Sequence, residues 1–219
     1  MDKIITEDGS ESFFNEEFQE SYHSKSGAVE EAREKYANAI KAHEVNSPII
    51  FDMFFGLGYN TAAVIDEIRE NNNDSFIEIH CFENDENILK KVLEVEPGFK
   101  SYKLIKEFVK RFLDSDQRQF TKDNINFLMY FGDATRLIRD VQDEANFVLF
   151  DPFSPKKHPA MWIFPFLKDV NNKMVKGGIL ATYSCAKEVR KNLELVGFTV
   201  KDGPIVGRNS PGTIAVKTE

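Results

Sequence analysis

The sequence predicts an α/β fold: a mostly parallel sheet with helices on both faces, closed by an antiparallel pair of strands at the C-terminal end. Three observations predict it. From residue 48 onward, short apolar runs alternate with segments whose apolar positions recur at helical spacing. The first run, Pro48 to Phe55, is broken only by Asp52 and passes through Gly56-Leu57-Gly58 directly into a helical pattern beginning at Thr61. The last two runs, Phe198 to Lys201 and Thr213 to Lys217, are joined by a Gly/Pro loop with no helix, so they pair antiparallel.

With 219 residues, 42% hydrophobic and 29% charged, the chain can bury one core and is short for two full domains. We divide it into an N-terminal extension and helix, 1–46, and a sheet domain, 47–219, in a single compact unit. Cys81 and Cys185 fall in stretches expected to be buried strands; two isolated cysteines make neither a disulfide framework nor a metal pattern, so no metal is expected. No apolar run has signal-peptide or membrane-spanning length, which predicts a cytoplasmic protein without membrane contact. A net charge of −8 disfavours indiscriminate nucleic-acid binding but leaves room for a local basic face that serves a particular RNA.

In chain order, residues 1–24 are acidic and aromatic, with Phe13, Phe14, Phe18 and Tyr22 irregularly spaced; they read as a docked extension ending at Tyr22-His23-Ser24. Gly27 to Lys41 is a helix with Ala28, Ala32, Tyr36, Ala39 and Ile40 on one face and Glu31 and Lys35 on the other. Gly56 and Gly58 allow an unusual backbone path and close approach of a ligand, and the next helix, capped by Asn60, points free N–H groups at the same place: a nucleotide cradle, or an ordinary tight turn. A third glycine is missing, because Ala62-Ala63 follow. After a turn at Asn71 to Asp74, a strand from Phe76 to Phe82 delivers Glu83, 25 positions beyond Gly58 (83 − 58), where an acid can accept two ribose hydroxyls or simply be solvated.

Helices follow over Asp85 to Val95 and Phe99 to Asp114. The second carries Lys100, Lys103, Lys106, Lys110 and Arg111, which read as a solvated face. The strand Ile125 to Phe131 ends at Gly132-Asp133, and Asp133 can bond an adenine amino group, cap the helix starting at Ala134, or do both. The strand Ala145 to Phe150 is nearly all apolar and therefore central. It leads into Asp151-Pro152-Phe153-Ser154-Pro155, a stiff loop where open α/β sheets place their chemistry. Lys156-Lys157-His158 adds positive charge before a helix over Pro159 to Val175 with Met161 and Trp162 near its start; Ile179 to Tyr183 is the fifth parallel strand, and Ala186 to Val196 the last helix.

Five strands alternating with helices before a terminal hairpin resemble the Rossmann-like sheet of class I S-adenosylmethionine-dependent methyltransferases. Asp151-Pro152-Phe153 resembles the Asp/Asn-Pro-Pro-aromatic loop of those that act on amines, lacking its second consecutive proline. The likeness sharpens over Tyr22-His23-Ser24, the Phe55-to-Asn60 turn, Phe82-Glu83, Phe131-Gly132-Asp133, Asp151 to Trp162 and Gly177 to Tyr183. Together these are similar to the methyltransferase domain of the tRNA wobble-uridine enzyme that forms 5-methylaminomethyl-2-thiouridine, from about residue 6 to the C-terminus. The resemblance implies that S-adenosyl-L-methionine is held by Asp52, Gly56, Gly58, Asn60, Glu83, Asp133 and Ala134, that Asp151 lies beside a substrate amine, and that Tyr22, His23, Phe153, Lys156, Trp162 and Arg208 meet the anticodon loop of tRNA. It also implies a stand-alone form, without the flavin-dependent oxidase often fused to this domain, that needs a free aminomethyl group on its substrate. Two departures stand out: Phe54 occupies a position that is glycine in the family, and Asn209-Ser210-Pro211 replaces a basic run. A nicotinamide-dependent oxidoreductase, an aminopropyltransferase and a non-catalytic RNA-binding protein are the competing readings of the same cradle.

Overall fold

The computed structural model describes residues 1–71, 75–207 and 209–218, so three residues of the expected turn after Asn71, and Arg208, lie outside the described residues. Two sheets are present. A small antiparallel one, in the order β1-β2-β3, is formed by β1 (Lys3–Ile5), β2 (Glu11–Asn15) and β3 (Glu20–Ser21). Its β1–β2 turn is tied to the following helix, because Asp8 accepts the N–H of Glu30 at 3.0 Å and Ser10 Oγ accepts that of Ala28 at 3.1 Å. Burial acts to raise the Asp8 carboxyl, but hydrogen bonds from Ser10, Thr6 and the backbone of Glu30 and Ser10 hold it at about 2. The extension is therefore docked by charge-assisted bonds to the helix at residues 28–40.

The main sheet is built from β4 (Ile49–Met53), β5 (Ile77–Glu83), β6 (Gln119–Lys122), β7 (Ile125–Phe131), β8 (Ala145–Phe150), β9 (Met174–Thr182), β10 (Phe198–Ile205) and β11 (Pro211–Lys217). Their order is β10-β11-β9-β8-β4-β5-β7-β6. The five parallel strands are the five expected, with β4 at the centre between β5 and β8, and β10–β11 is the expected antiparallel pair. Strand β6 escaped the sequence reading. It pairs antiparallel with β7 through Asp123-Asn124, both at positive φ (+52° and +58°), a two-residue turn whose twist suits a hairpin. A hairpin signal was thus present in the Asp-Asn pair, masked by the short and polar Gln119–Lys122.

Alternation along the strands divides the core. Ile50, Ile79, Cys81, Phe127 and Leu149 face one layer of helices, at 28–40, 59–71, 86–92 and 102–115; Phe51, Met53, Phe82, Val148, Phe150 and Leu180 face the other, at 134–140, 164–172 and 187–195. The helix Tyr102–Ser115 buries Tyr102, Ile105, Phe108, Val109 and Phe112, one stripe at spacings of three and four. It begins three residues later than expected because Asp66 captures the backbone N–H groups of Lys100 and Ser101, at 2.7 and 2.9 Å. Its basic residues form the solvated face anticipated, with Lys106, Lys110 and Arg111 paired to Glu96, Asp114 and Glu107.

Two elements differ from expectation. The span 159–175 is a 3-10 turn, Pro159–Trp162, and a separate helix, Phe164–Asn172. Pro165 lacks an N–H and its ring would collide with the carbonyl four residues back, so it starts a helix rather than continuing one. Cys185 is in the loop after β9 and partly exposed, whereas Cys81 is buried in β5 as expected. Among the described residues no helix is long and apolar enough to cross a membrane. The left-handed turn at Asn124 yields a direct test: Asn124→Val should lower stability by about 1–3 kcal/mol, while Asn124→Gly should be neutral or stabilising, as read from the urea midpoint.

Candidate active site

Strand β4 is flanked by β5, which follows it, and β8, which comes much later, so the chain leaves in opposite directions and a crevice opens at the carboxyl ends of these strands. The loops there and the N-terminal β2–β3 segment enclose a cavity of about 1070 Å³. Glu83, Asp133 and Asp151, brought from three separate strand ends, all line it. Carboxyl groups outnumber the lysines along its wall, which are Lys25 and Lys35, so the cavity favours a cation.

Glu83 is buried at the end of β5. Its Oε2 accepts the N–H of Gly56 at 2.8 Å, and its Oε1 accepts those of Asn84 and Asp85 at 2.8 and 2.9 Å. Burial pushes the carboxyl up from its ordinary value, opposed by these backbone donors. Three donors leave the carboxylate some acceptor capacity for a ligand. Gly56 stands at φ +55°, and a Cβ there would lie 3.5 Å from the Tyr22 ring, so glycine is needed for the backbone path rather than for space. Asp133 caps the helix Ala134–Asp140, accepting from the Thr135 N–H at 2.9 Å and hydroxyl at 2.7 Å, and stays half-exposed beside Ala134 in the cavity wall.

Asp151 Oδ2 accepts from Asn60 Nδ2 at 2.8 Å. Burial, and then the charge of Glu31, push the Asp151 carboxyl up to about 6; Tyr36, Asn60 and Lys35 act in the other direction. The loop that follows is held from four sides. Trp162 Nε1–H donates to the Phe153 carbonyl at 2.9 Å, the Tyr183 hydroxyl to that of Pro152 at 3.1 Å, and the Ser154 N–H to Glu20 at 3.0 Å, while Phe18 stacks on Phe153 with centroids 4.5 Å apart. Glu20 and Phe18 belong to the N-terminal extension, which thus forms part of the wall. Tyr22 lines the cavity too, with its ring edge-on to Phe153 and its hydroxyl donating to Asp85 at 3.2 Å. His23 also borders the cavity, but burial lowers it to about 4, and its neutral ring stacks on Tyr59 and bonds Ser12 through Nδ1.

Several expected site residues are placed differently. Asp52 is fully buried in β4 and does not line the cavity, although the charges of Asp151 and Glu83 act on it; Thr61 Oγ1 donates to its Oδ2 at 2.6 Å and its Oδ1 has no partner. A Cβ on Gly58, at φ +72°, would come within 2.6 Å of the Phe55 ring, so packing of the turn by itself requires glycine here, and Gly58 does not line the cavity. Asn60 is not a helix cap: the helix starts at Tyr59, and the Asn60 side chain goes to Asp151. Trp162 is buried edge-on against Phe150, and it shapes the loop instead of facing RNA. Lys156 is exposed and outside the cavity lining. Arg208 lies outside the described residues. One trio able to ligate a metal occurs among the described residues, Glu78, His80 and Asp143, away from this cavity.

Glu31 and Lys35 were missed as site residues. Both line the cavity and pair with each other, and Lys35 is only 2% exposed. Their four-residue spacing reads as a surface pair on a regular helix, but residues Ala32–Ala37 are π-helical, and sequence carries no signal for that distortion. Phe54 takes φ +76°, a conformation costly for any residue with a Cβ, and its ring packs edge-on to Phe150 and Phe166 at the cavity wall.

Residues 99–218 match the family described as S-adenosyl-L-methionine-dependent methyltransferase. An uncharacterized protein of Methanocaldococcus jannaschii is 33% identical over 215 residues, 98% of this chain and 59% of that protein. The tRNA 5-methylaminomethyl-2-thiouridine biosynthesis bifunctional protein MnmC of Campylobacter hominis is 29% identical over 196 residues, 87% of this chain and 29% of that protein. The chain therefore spans less than two thirds of either relative. Among solved structures, MnmC2 from Aquifex aeolicus superposes with a TM-score of 0.82 at 29% identity, covering 98% of this chain and 69% of that one.

The burial of Asp52 has a measurable consequence. Burial raises its carboxyl to about 8, so the folded chain holds a proton that the unfolded chain releases near pH 4, and stability falls as pH rises between those values. Asp52→Asn, neutral and of the same shape, should raise Tm at pH 8, by roughly 2–4 °C per kcal/mol gained, and the gain should vanish toward pH 4.

Proposed function

Since the chain belongs to the S-adenosyl-L-methionine-dependent methyltransferases, we propose that it methylates a primary amine, the aminomethyl group of the wobble uridine in a tRNA anticodon loop, giving the 5-methylaminomethyl nucleoside. The observation that carries this reading is that Asp151, its carboxyl pushed up to about 6 by burial, shares a cavity with Glu83 and Asp133. The likeness to proteins of tRNA 5-methylaminomethyl-2-thiouridine biosynthesis supports the choice of RNA substrate.

The residues present fit the cofactor. Glu83, with acceptor capacity left after three backbone donors, suits the ribose hydroxyls, and the half-exposed Asp133 beside Ala134 suits the adenine end. S-Adenosyl-L-methionine, when bound, supplies a methyl group already activated by its sulfonium, so the chain's task is alignment, exclusion of water and removal of a proton. A protonated amine has no lone pair with which to attack. Asp151 accepts that proton, with Asn60 fixing its Oδ2. Phe153, clamped by Phe18 and Tyr22, together with Phe54 keeps water from the reacting end, and the acidic wall attracts the cationic amine. Exposed Lys156 and Lys157 at the same loop are the proposed phosphate contacts.

A second reading, N-methylation of a different amine, is favoured by the pairing of basic residues on the helix Tyr102–Ser115, which leaves little positive surface there for RNA. Nucleoside mass spectrometry decides: tRNA from cells lacking the protein should accumulate 5-aminomethyluridine or its 2-thio form, and the purified chain should convert it; unaltered nucleosides select the second reading. Asp151→Ala should reduce turnover by about 10²–10⁴-fold while leaving S-adenosylhomocysteine affinity nearly unchanged. Equal loss of both would reassign the carboxylate to ligand binding. Because the ionised form is required, kcat/KM should fall as pH drops through about 6.

A further inference from the structure

The helix at residues 28–40 loses α geometry at Ala32–Ala37, where a π-helical segment widens the turn and re-aims the side chains around it. As a result Lys35 is buried and pairs closely with the largely buried Glu31, both in the wall of the cavity that holds Asp151. Next to them the Tyr36 hydroxyl is buried and turned to Asp151 without reaching a hydrogen bond of normal geometry. A hydroxyl in that position can donate to an ionised carboxyl or accept from a protonated one. Burying an ion pair costs desolvation that the pairing only partly offsets, and apolar side chains of similar size would stabilise the helix at least as well. Two opposite charges beside a reacting carboxylate do what apolar side chains cannot: one disfavours its ionisation and the other favours it.

We infer that Glu31 and Lys35 are positioning residues that set the proton affinity of Asp151 through opposed charges, with the Tyr36 hydroxyl as a neighbour suited to either protonation state. The inference rests on the proposed role of Asp151 as acceptor of the amine's proton. In that step an N–H bond of the ammonium breaks, an O–H bond forms on Asp151, and the nitrogen keeps the electron pair with which it attacks. The groups facing this carboxyl are Glu31, Lys35 and Tyr36 from the N-terminal helix, Asn60 from the helix after the glycine turn, and Asp52 from β4, and Tyr183 acts in turn on Tyr36. Removing one member of the pair leaves the other unopposed, so the two removals act in opposite directions.

Carbon-13 NMR titration of the Asp151 carboxyl in the cofactor-free 219-residue chain, assigned by comparison with Asp151→Asn, tests this without a substrate. Glu31→Gln should lower the midpoint by about one pH unit and Lys35→Met should raise it by about one, while Lys35→Arg should return it close to wild type. In turnover assays the acid limb of kcat/KM should move in the same directions. Midpoints that stay put, or that shift the same way in both variants, overturn the inference. Should Lys35→Met fail to fold, Glu31→Gln alone decides: a lowered midpoint supports the pair's role and an unchanged one refutes it. If the wobble-uridine reading is wrong, tRNA turnover is absent while the opposed titration shifts persist; if only the pair's role is wrong, turnover persists with an unmoved acid limb.

Discussion

Carboxyl groups removed from water at the edge of a parallel sheet are costly, and each must be compensated where it stands. Four such groups gather around the carboxyl ends of β4, β5 and β8, and their four solutions organise the molecule. Glu83 is met by three backbone N–H groups, which draws the glycine turn after β4 onto the end of β5. Asp52 keeps its proton and leans on Thr61. Glu31 takes a buried lysine. Asp151 takes an amide donor from Asn60, and its carboxyl is pushed up to about 6. Of the four, Asp151 alone joins partial compensation to a place in the cavity wall, which suits it to exchanging a proton, because a group tied down by strong donors has its protonation state decided for it.

The N-terminal extension is part of the same arrangement. Asp8 and Ser10 hold it to the helix at 28–40, and Phe18 and Glu20 reach across to the loop after Asp151. That loop has few bonds of its own, so its shape comes from Trp162, Tyr183 and the extension together. An aromatic-walled end of the cavity results, built from residues as far apart in the chain as Phe18 and Tyr183. Phe54 belongs to this end as well: the strain of its left-handed backbone is accepted where a glycine would leave the wall without an aromatic ring.

Much of the fold was legible because it is written in local pattern. The five parallel strands, the glycine turn and the final antiparallel pair follow from apolar periodicity and glycine placement, as do the positions of Glu83, Asp133 and Asp151 at strand ends. Strand β6 was not read, since four residues with three exposed side chains carry almost no periodicity. The break at Pro165 follows from proline chemistry, since a proline starts a helix more readily than it continues one. Within the site, the family resemblance implied that Asp52 meets the cofactor and Trp162 the RNA, although what separates a cavity wall from a core is which face of the sheet or loop a side chain meets.

By itself the sequence determined the class of architecture, the crevice at the carboxyl ends of the strands and the three acids that line it, because strand order and strand-end residues depend on short-range pattern. Only the tertiary structure decided that Asn60 reaches Asp151 instead of capping its own helix, that Asp52 is sealed off, and that Glu31 and Lys35 turn inward. Each of those outcomes depends on contacts between segments far apart in the chain, or on a helical distortion stabilised by packing, and the free energy that selects them does not reside in any local stretch of residues.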